Sequence, residues 1–108
     1  MSFEIRPRDA HPLLEQGEAV ALDVREHHEW HRGHIGGAIH IPLGELGARL
    51  PELPRGKRIL AVCRSGARSG SVVSPLRELG YDVVNLSGGL LSWNASGLPL
   101  EPAPGLVA

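Results

Sequence analysis

One stretch of the chain, residues 58–79, combines a short apolar run, the only cysteine and a helical pattern, and it restricts the fold more than any other stretch. Residues 59–62 have the length and composition of a β-strand that is buried on both faces. Farther along, apolar residues recur at intervals of three and four, at Val72, Val73, Leu76 and Leu79. This spacing predicts one face of a helix that ends at Gly80. The stretch therefore predicts a strand, a tight loop and a helix.

The predicted loop, Cys63-Arg64-Ser65-Gly66-Ala67-Arg68, suits a reactive thiol. Backbone N–H groups that lead into a helix attract negative charge. Together with the cations Arg64 and Arg68, they would hold the pKa of Cys63 below the free value of about 8.5. A lone cysteine is commonly a buried structural residue, but this polar, cationic flank favours a nucleophile.

Composition limits the number of domains and the classes of partner. A chain of 108 residues with 42% hydrophobic content is long enough for one compact domain. The formal net charge of −1 argues against nucleic acid and membrane partners. No apolar block has the length of a signal peptide or of a membrane helix, so we expect a soluble cytoplasmic protein. One cysteine makes no internal disulfide, which fits a reducing compartment.

Strand and helix patterns alternate along the chain. Strands are predicted near residues 3–5, 20–24, 38–41, 59–62 and 82–86. Helices are predicted between Pro7 and residue 16, and over residues 26–32, 43–50, 67–79 and 90–93. This alternation predicts an α/β domain with a parallel sheet and helices on both faces, in which a ligand binds at the carboxyl ends of the strands.

Two features complicate this simple picture. Pro75 falls inside the helix after the loop, where proline costs about 3 kcal/mol, and we expect a bend near Ser71. At the C-terminus, residues 99–108 are rich in proline and glycine. We therefore expect one domain over residues 1–98, followed by a tail that is draped on it or partly disordered.

Four segments, taken in order, resemble the rhodanese-type sulfurtransferase family, specifically its small single-domain members. They are Leu22-Asp23-Val24-Arg25-Glu26, then Gly33-His34-Ile35-Gly36-Gly37-Ala38 with Ile41-Pro42, then Cys63-Arg64-Ser65-Gly66-Ala67-Arg68-Ser69, and Gly80-Tyr81 through Gly88-Gly89 to Trp93. The resemblance implies a three-layer rhodanese-like fold, with a central five-stranded parallel sheet and helices on both faces.

The resemblance also implies a chemistry and a set of site residues. Cys63 would accept a sulfane sulfur from thiosulfate or a persulfide and pass it to a thiophilic acceptor such as cyanide or a thiol. The loop residues would bind the donor: Arg64, Ser65, Gly66, Ala67 and Arg68. Asp23 and Arg25 would play supporting roles, with Asp23 accepting hydrogen bonds from the loop. Arg25 and Glu29 are four residues apart, and this spacing predicts a pair on the short helix, either in that supporting role or as a solvated surface pair. No cofactor is expected, and a sulfur-relay protein is a further candidate partner.

Alternative functions remain open for the same thiolate. The chain could be a persulfide carrier without fast turnover, or a phosphatase or arsenate reductase. Four residues separate Cys63 from Arg68, whereas related phosphatases have five, and by analogy with the family the shorter loop favours sulfur over phosphate. A metal site is a separate hypothesis for His27, His28, His31 and His34. No cluster with recognised zinc spacing accompanies these histidines, so a solvated helix is expected and no metal.

Overall fold

The computed structural model describes residues 3–103 and 105–108 and contains a five-stranded parallel sheet. The strands are β1 (Glu4–Ile5), β2 (Ala19–Asp23), β3 (Ile39–His40), β4 (Arg58–Val62) and β5 (Val83–Leu86), in the spatial order β1-β5-β4-β2-β3. The α-helices are α1 (Pro7–Glu15), α2 (His27–Arg32), α3 (Ala67–Glu78) and α4 (Gly89–Ala95). The expected α/β fold with a five-stranded parallel sheet is confirmed.

Alternate residues of the central strand β4 point to opposite faces, as the pleat of a strand requires. Ile59, Ala61 and the following Cys63 pack with the buried face of α3. Leu60 and Val62 pack with apolar residues of α1 and α4 on the other face. These two apolar layers make the carboxyl end of β4, where Cys63 lies, a rigid platform for the loop that follows.

Residues 43–50 depart from the predicted helix. They form two short 3-10 segments, Leu43–Glu45 and Gly47–Glu52, instead of one α-helix. Arg49 has a φ of −115°, outside the helical region. Gly44 and Gly47 weaken an α-helix here, and Pro51 lacks the N–H that would continue it. Leu46 and Leu53 are nevertheless buried in the core.

Pro75 does not interrupt α3, which runs unbroken from Ala67 to Glu78. Ser71, Ser74 and Pro75 all lie on the exposed side of this helix. Water can therefore reach the Ser71 carbonyl, which has lost its helical donor at position 75. The helix that presents the loop keeps its helical backbone at both Ser71 and Pro75.

The segment that follows α4 packs against the connection between α2 and β3. His34 and Glu101 exchange two backbone hydrogen bonds, at 2.7 and 2.9 Å, and the Trp93 indole donates to the Pro99 carbonyl at 2.9 Å. Leu100 is buried. Over the described residues, 3–103 and 105–108, no helix combines the length and the apolar character that a bilayer crossing requires.

Candidate active site around Cys63

Three hydrogen-bond donors converge on the sulfur of Cys63, which is 1% exposed. The Gly66 N–H lies 3.1 Å from Sγ, and the Ser69 N–H lies 3.4 Å away. The Ser69 hydroxyl lies 3.3 Å from the same atom. Because α3 begins at Ala67, its N-terminus also faces the sulfur and favours a negative charge there.

The tight return of the loop depends on Gly66, which has a φ of 99°. This left-handed conformation lets the chain turn back over the sulfur and enter α3, and a side chain would strain it. The loop also rests on the start of α4, because the N–H groups of Leu90 and Leu91 donate to the carbonyls of Cys63 and Arg64 at 2.9 and 3.0 Å. The backbone of the loop is thus fixed at its start and at its turn.

Close packing at Gly89 holds α4 against the loop. Gly89 has a φ of 60°, and a Cβ atom there would lie 2.6 Å from the Cys63 carbonyl oxygen and 2.5 Å from that of Arg64. Glycine is therefore required at this position for two reasons, conformation and space.

Hydrogen bonds offset the burial of the thiol. Burial raises the pKa of Cys63, but the hydroxyl and the N–H of Ser69 lower it, with further help from the N–H groups of Gly66 and Ser65. The net result is a pKa below the ordinary value. The direction agrees with the sequence-based expectation. The contacts that reach the sulfur, however, are hydrogen bonds rather than arginine side chains.

Arg68, at the end of the loop, forms an ion pair with Glu29 of α2. Its two terminal nitrogens donate to the two carboxylate oxygens at 2.7 and 2.8 Å. Arg68 lowers the pKa of Glu29 to about 2, against an opposing effect of burial. Glu29 also accepts a hydrogen bond from the Glu26 N–H at 3.0 Å within a capping box of α2. The ion pair therefore ties the loop to α2.

Asp23 and Arg25 form a separate, buried ion pair behind the loop. The Arg25 guanidinium donates to both Asp23 oxygens, with a shortest distance of 2.8 Å, and both side chains are at most 1% exposed. It also donates to the carbonyls of Gly33 at 2.7 Å and Glu29 at 3.3 Å. The expected pairing of the Arg25 and Glu29 side chains is wrong, because the Arg25 guanidinium forms its ion pair with Asp23.

The contact expected between Asp23 and the loop is also wrong. The hydrogen bonds that the Asp23 carboxylate accepts from described residues all come from Arg25, through its side chain and its own N–H at 3.0 Å. Asp23 and Arg25 thus shape the α2 connection and only indirectly support the cysteine loop.

The remaining loop residues lie on the surface beside the sulfur. Arg64, Ser65 and Ala67 are exposed, and Gly66 is half-buried. Among the described residues, the Arg64 guanidinium takes part in no hydrogen bond or ion pair. The structure thus brings the loop of Cys63 together with Glu29. The helical spacing predicts Arg25 as the partner of Glu29, but its partner is Arg68.

A buried polar network behind the sulfur was not predicted. The Ser69 hydroxyl lies 2.6 Å from the side-chain oxygen of Asn85 on β5, and the Asn85 amide nitrogen donates to the Gly66 carbonyl and to Glu4 of β1, both at 3.0 Å. Ser69 is fully buried and Asn85 is 4% exposed. One signal was available in the sequence, because Asn85 is the only polar residue in the apolar run of β5.

The histidines near α2 stack with Trp30. The His34 and His40 rings lie nearly parallel to the indole, with centroids 3.6 and 4.6 Å away. His27 meets His40 edge to face at 4.9 Å. Over residues 3–103 and 105–108, no three His, Cys, Asp or Glu side chains are grouped so as to hold a metal ion.

Comparison with known proteins identifies the family. The family model described as a rhodanese-like domain matches residues 6–96. The chain belongs to this family. The thiosulfate sulfurtransferase GlpE of Actinobacillus pleuropneumoniae is 33% identical over 101 residues, which cover 93% of this chain and 94% of that protein. The family and the sulfurtransferase relatives confirm the resemblance inferred from the four segments.

A regulator and a solved structure extend the comparison. The HTH-type transcriptional regulator Rv0324 of Mycobacterium tuberculosis is 42% identical over 89 residues, which cover 81% of this chain and 39% of the regulator. The chain therefore spans well under half of that relative. The crystal structure of a rhodanese-related protein from Thermoplasma volcanium superposes with a TM-score of 0.85 at 34% identity, and covers 90% of this chain and 95% of that one.

Proposed function

We propose that the protein is a sulfurtransferase that moves a sulfane sulfur from thiosulfate, or from a persulfide donor, through a persulfide on Cys63. The Cys63 thiolate attacks the terminal sulfur of thiosulfate, and the S–S bond of the donor breaks with its electron pair leaving on sulfite. A thiophilic acceptor, cyanide or a thiolate, then attacks the outer sulfur of the persulfide. The electron pair of that S–S bond returns to Cys63, which completes the cycle.

The observation that carries this proposal is the convergence of the Gly66 and Ser69 donors on a buried sulfur, at 3.1 to 3.4 Å. Such donors stabilise the thiolate relative to the thiol, and N–H groups around the mouth of the loop suit the negative outer sulfur of a persulfide. The name of the Actinobacillus relative, which matches nearly its whole length, supports thiosulfate as a donor.

The loop residues would divide the remaining work. Ser65, Gly66 and Ala67 would offer backbone N–H groups to the donor, and Arg64 would attract its negative charge from the rim. Arg68 would hold the loop in shape through Glu29, with Asp23 and Arg25 supporting the same region. A cytoplasmic location, where thiols remain reduced, suits a reaction that begins from a free thiolate.

Thiocyanate formation from thiosulfate and cyanide is the decisive assay, with the Cys63→Ser variant as control. We expect turnover by the wild type and none by the variant. Mass spectrometry after thiosulfate treatment should show one added sulfur atom on Cys63 that cyanide removes. A sulfinic acid has nearly the same added mass, but cyanide does not reverse it.

Other outcomes would point to the alternative functions. A cyanide-removable adduct with negligible turnover would indicate a persulfide carrier that needs a sulfur-relay partner. Hydrolysis of an aryl phosphate, or reduction of arsenate, that depends on Cys63 would indicate the phosphatase or reductase alternative. Absence of both adduct and turnover with every sulfane donor would refute the sulfur-transfer proposal.

A further inference from the structure

Ser69 faces two hydrogen-bond acceptors with a single hydroxyl proton. Its oxygen lies 2.6 Å from Oδ1 of Asn85 and 3.3 Å from Sγ of Cys63. A hydroxyl donates one hydrogen bond at a time, and the shorter contact is the stronger one. The amide oxygen of Asn85 therefore competes with the sulfur for the Ser69 proton.

The orientation of the Asn85 amide is fixed by its other partners. The Nδ2 group lies 3.0 Å from the Gly66 carbonyl and 3.0 and 3.3 Å from the two oxygens of Glu4. A carbonyl and a carboxylate only accept hydrogen bonds, so the amide nitrogen must face them and the amide oxygen must face Ser69. Ser87 donates to Glu4 at 2.9 Å, which holds the carboxylate in place.

We propose that Asn85 is a positioning residue that draws the Ser69 hydroxyl proton away from Cys63 and so keeps the attacking thiolate reactive. This inference rests on the proposed sulfurtransferase function and adds a residue that acts through Ser69. A thiolate that receives fewer hydrogen bonds is more basic, and a more basic thiolate is intrinsically more nucleophilic.

The same competition changes during the reaction. In the free thiolate the charge is on Sγ, and Ser69 can donate its hydroxyl proton either to Sγ or to Asn85. Once the persulfide has formed, the charge is on the outer sulfur, beyond Sγ, and Ser69 can donate fully to Asn85. The hydrogen bond between Ser69 and Asn85 thus favours persulfide over free thiolate.

The other charged groups around the sulfur are engaged elsewhere or lie on the rim. Arg68 pairs with Glu29, and Asp23 pairs with Arg25. Arg64 is exposed on the loop, and Glu4 is the charged group that contacts the network. No imidazole of the described residues hydrogen-bonds to Sγ. The effect of Asn85 on Cys63 can therefore be measured separately from the protonation of a charged group next to the sulfur.

The test is the pH dependence of Cys63 alkylation by iodoacetamide, which needs no sulfur transfer and reports on the only cysteine. We expect Asn85→Val to free the Ser69 hydroxyl for the sulfur and to lower the pKa of Cys63. The alkylation rate should then rise about threefold at the acidic end of the profile and fall about threefold at the alkaline end, because the gain in thiolate fraction and the loss of intrinsic nucleophilicity are of similar size. Ser69→Ala should shift the profile in the opposite direction, and Ser74→Ala, on the exposed side of the same helix, should leave it unchanged.

The double variant Ser69→Ala/Asn85→Val separates a role through the hydroxyl from a general structural role. With no hydroxyl at position 69, the Asn85 substitution should no longer move the profile. If Asn85→Val fails to fold, Asn85→Ala serves instead, because it also removes the amide oxygen that competes for the Ser69 proton. This variant should also lower the pKa of Cys63. The change in the alkylation profile should become smaller when Ser69 is alanine.

Two results would overturn the role assigned to Asn85. One is a profile that Asn85→Val leaves unchanged or moves to higher pH. The other is a shift that persists at full size when Ser69 is alanine. Either result would leave the sulfurtransferase proposal intact, since thiocyanate formation by the wild type is measured separately. Conversely, a wild type without transfer activity would refute the function while the alkylation profiles still report on the network.

Discussion

Both carboxylate oxygens of Glu29 accept hydrogen bonds from the Arg68 guanidinium, at 2.7 and 2.8 Å, although Arg68 comes 39 positions after Glu29 in the sequence. The pair joins the last residue of the cysteine loop to α2, on the connection that follows β2. Arg68 therefore has a structural partner before any substrate arrives. The ion pair compensates much of its positive charge and ties the start of α3 to α2.

We expect Glu29→Gln to destabilise the protein by about 2 kcal/mol near pH 7, after allowance for solvent around the partly exposed Arg68. The pKa of Glu29 is lowered from 4.5 to about 2 in the folded state. A lowered pKa means that the carboxylate stabilises the fold above the unfolded value, and that this stability is lost as the pH falls from 4.5 to about 2. Urea denaturation of both proteins at a series of pH values measures the difference.

The exposed pair of Arg49 and Glu52 supplies the control for this prediction, because it is also held by two hydrogen bonds, at 2.7 and 2.9 Å. Glu52→Gln should cost less stability than Glu29→Gln, since the side chain of Glu52 is 49% exposed and that of Glu29 only 11%. Equal losses for the two variants, or a Glu29→Gln difference that persists at the acidic end of the series, would contradict the prediction.

Gly89→Ala should destabilise the protein by about 2 to 4 kcal/mol. A methyl group at position 89 would strain the left-handed backbone and press on the carbonyls of Cys63 and Arg64, which lie 2.6 and 2.5 Å from the Cβ position. Since these carbonyls start the cysteine loop, alkylation of Cys63 should slow as well. Denaturation midpoints and iodoacetamide rates measure the two effects.

Gly97→Ala separates backbone strain from steric overlap in this experiment. Gly97 has a similar φ of 76°, but a Cβ atom there meets nothing within 4 Å. We expect a loss of only about 1 kcal/mol and no change in alkylation. If Gly97→Ala were as harmful as Gly89→Ala, packing of α4 on the loop would not be the cause.

Asp23→Ala should be among the most destabilising single substitutions, at about 3 to 5 kcal/mol. It leaves the fully buried guanidinium of Arg25 without its counter-charge, although Arg25 would keep its bonds to the carbonyls of Gly33 and Glu29. Asp82→Ala is the matched comparison, because the Arg58–Asp82 pair is nearly half exposed on both sides and should cost less than about 1 kcal/mol. Chemical denaturation that finds equal losses would mean that Arg25 is not electrostatically dependent on Asp23.

The fold was predictable from local patterns, whereas the partners of the candidate site residues were not. Burial of a strand or of a helix face produces a regular pattern of apolar residues in the sequence. The apolar run of β4 and the spacing of Val72, Val73 and Leu76 are such patterns. The Glu29–Arg68 contact depends on how β2 and β4 lie side by side, and no local spacing reveals it. For the same reason, the four-residue spacing wrongly predicted a pair between Arg25 and Glu29. Arg25 instead binds Asp23, two residues earlier in the chain.

The network behind the sulfur illustrates a second limit. Ser69 belongs to the segment that carried the family resemblance, but its hydroxyl bonds to Asn85, which lies 16 residues farther along the chain. Asn85 interrupts an otherwise apolar strand, and this mismatch with its surroundings was the available signal. Local rules of burial do not supply its partners, because these lie on α3, in the loop and on β1.

Arg64 is the loop cation best placed to attract an anionic donor. Arg68 is bound by Glu29 and Arg25 by Asp23, while Arg64 is exposed and makes no side-chain hydrogen bond to the described residues. We expect Arg64→Ala to lower kcat/KM for thiosulfate about tenfold, since a charge-assisted contact to the donor is lost. Arg64→Lys should recover most of this activity, and added salt should weaken the wild type more than the alanine variant.

Two comparisons distinguish donor attraction by Arg64 from a general effect on the loop. Alkylation by iodoacetamide, which is uncharged, should change little in Arg64→Ala, because the hydrogen bonds to Sγ come from Gly66 and Ser69. Lys57→Ala removes the same charge at the opposite end of β4 and should leave kcat/KM nearly unchanged. Equal losses for Arg64→Ala and Lys57→Ala would mean that net charge governs the donor. A parallel loss of alkylation would mean that Arg64 shapes the loop, and in either case the donor-binding role of Arg64 would be wrong.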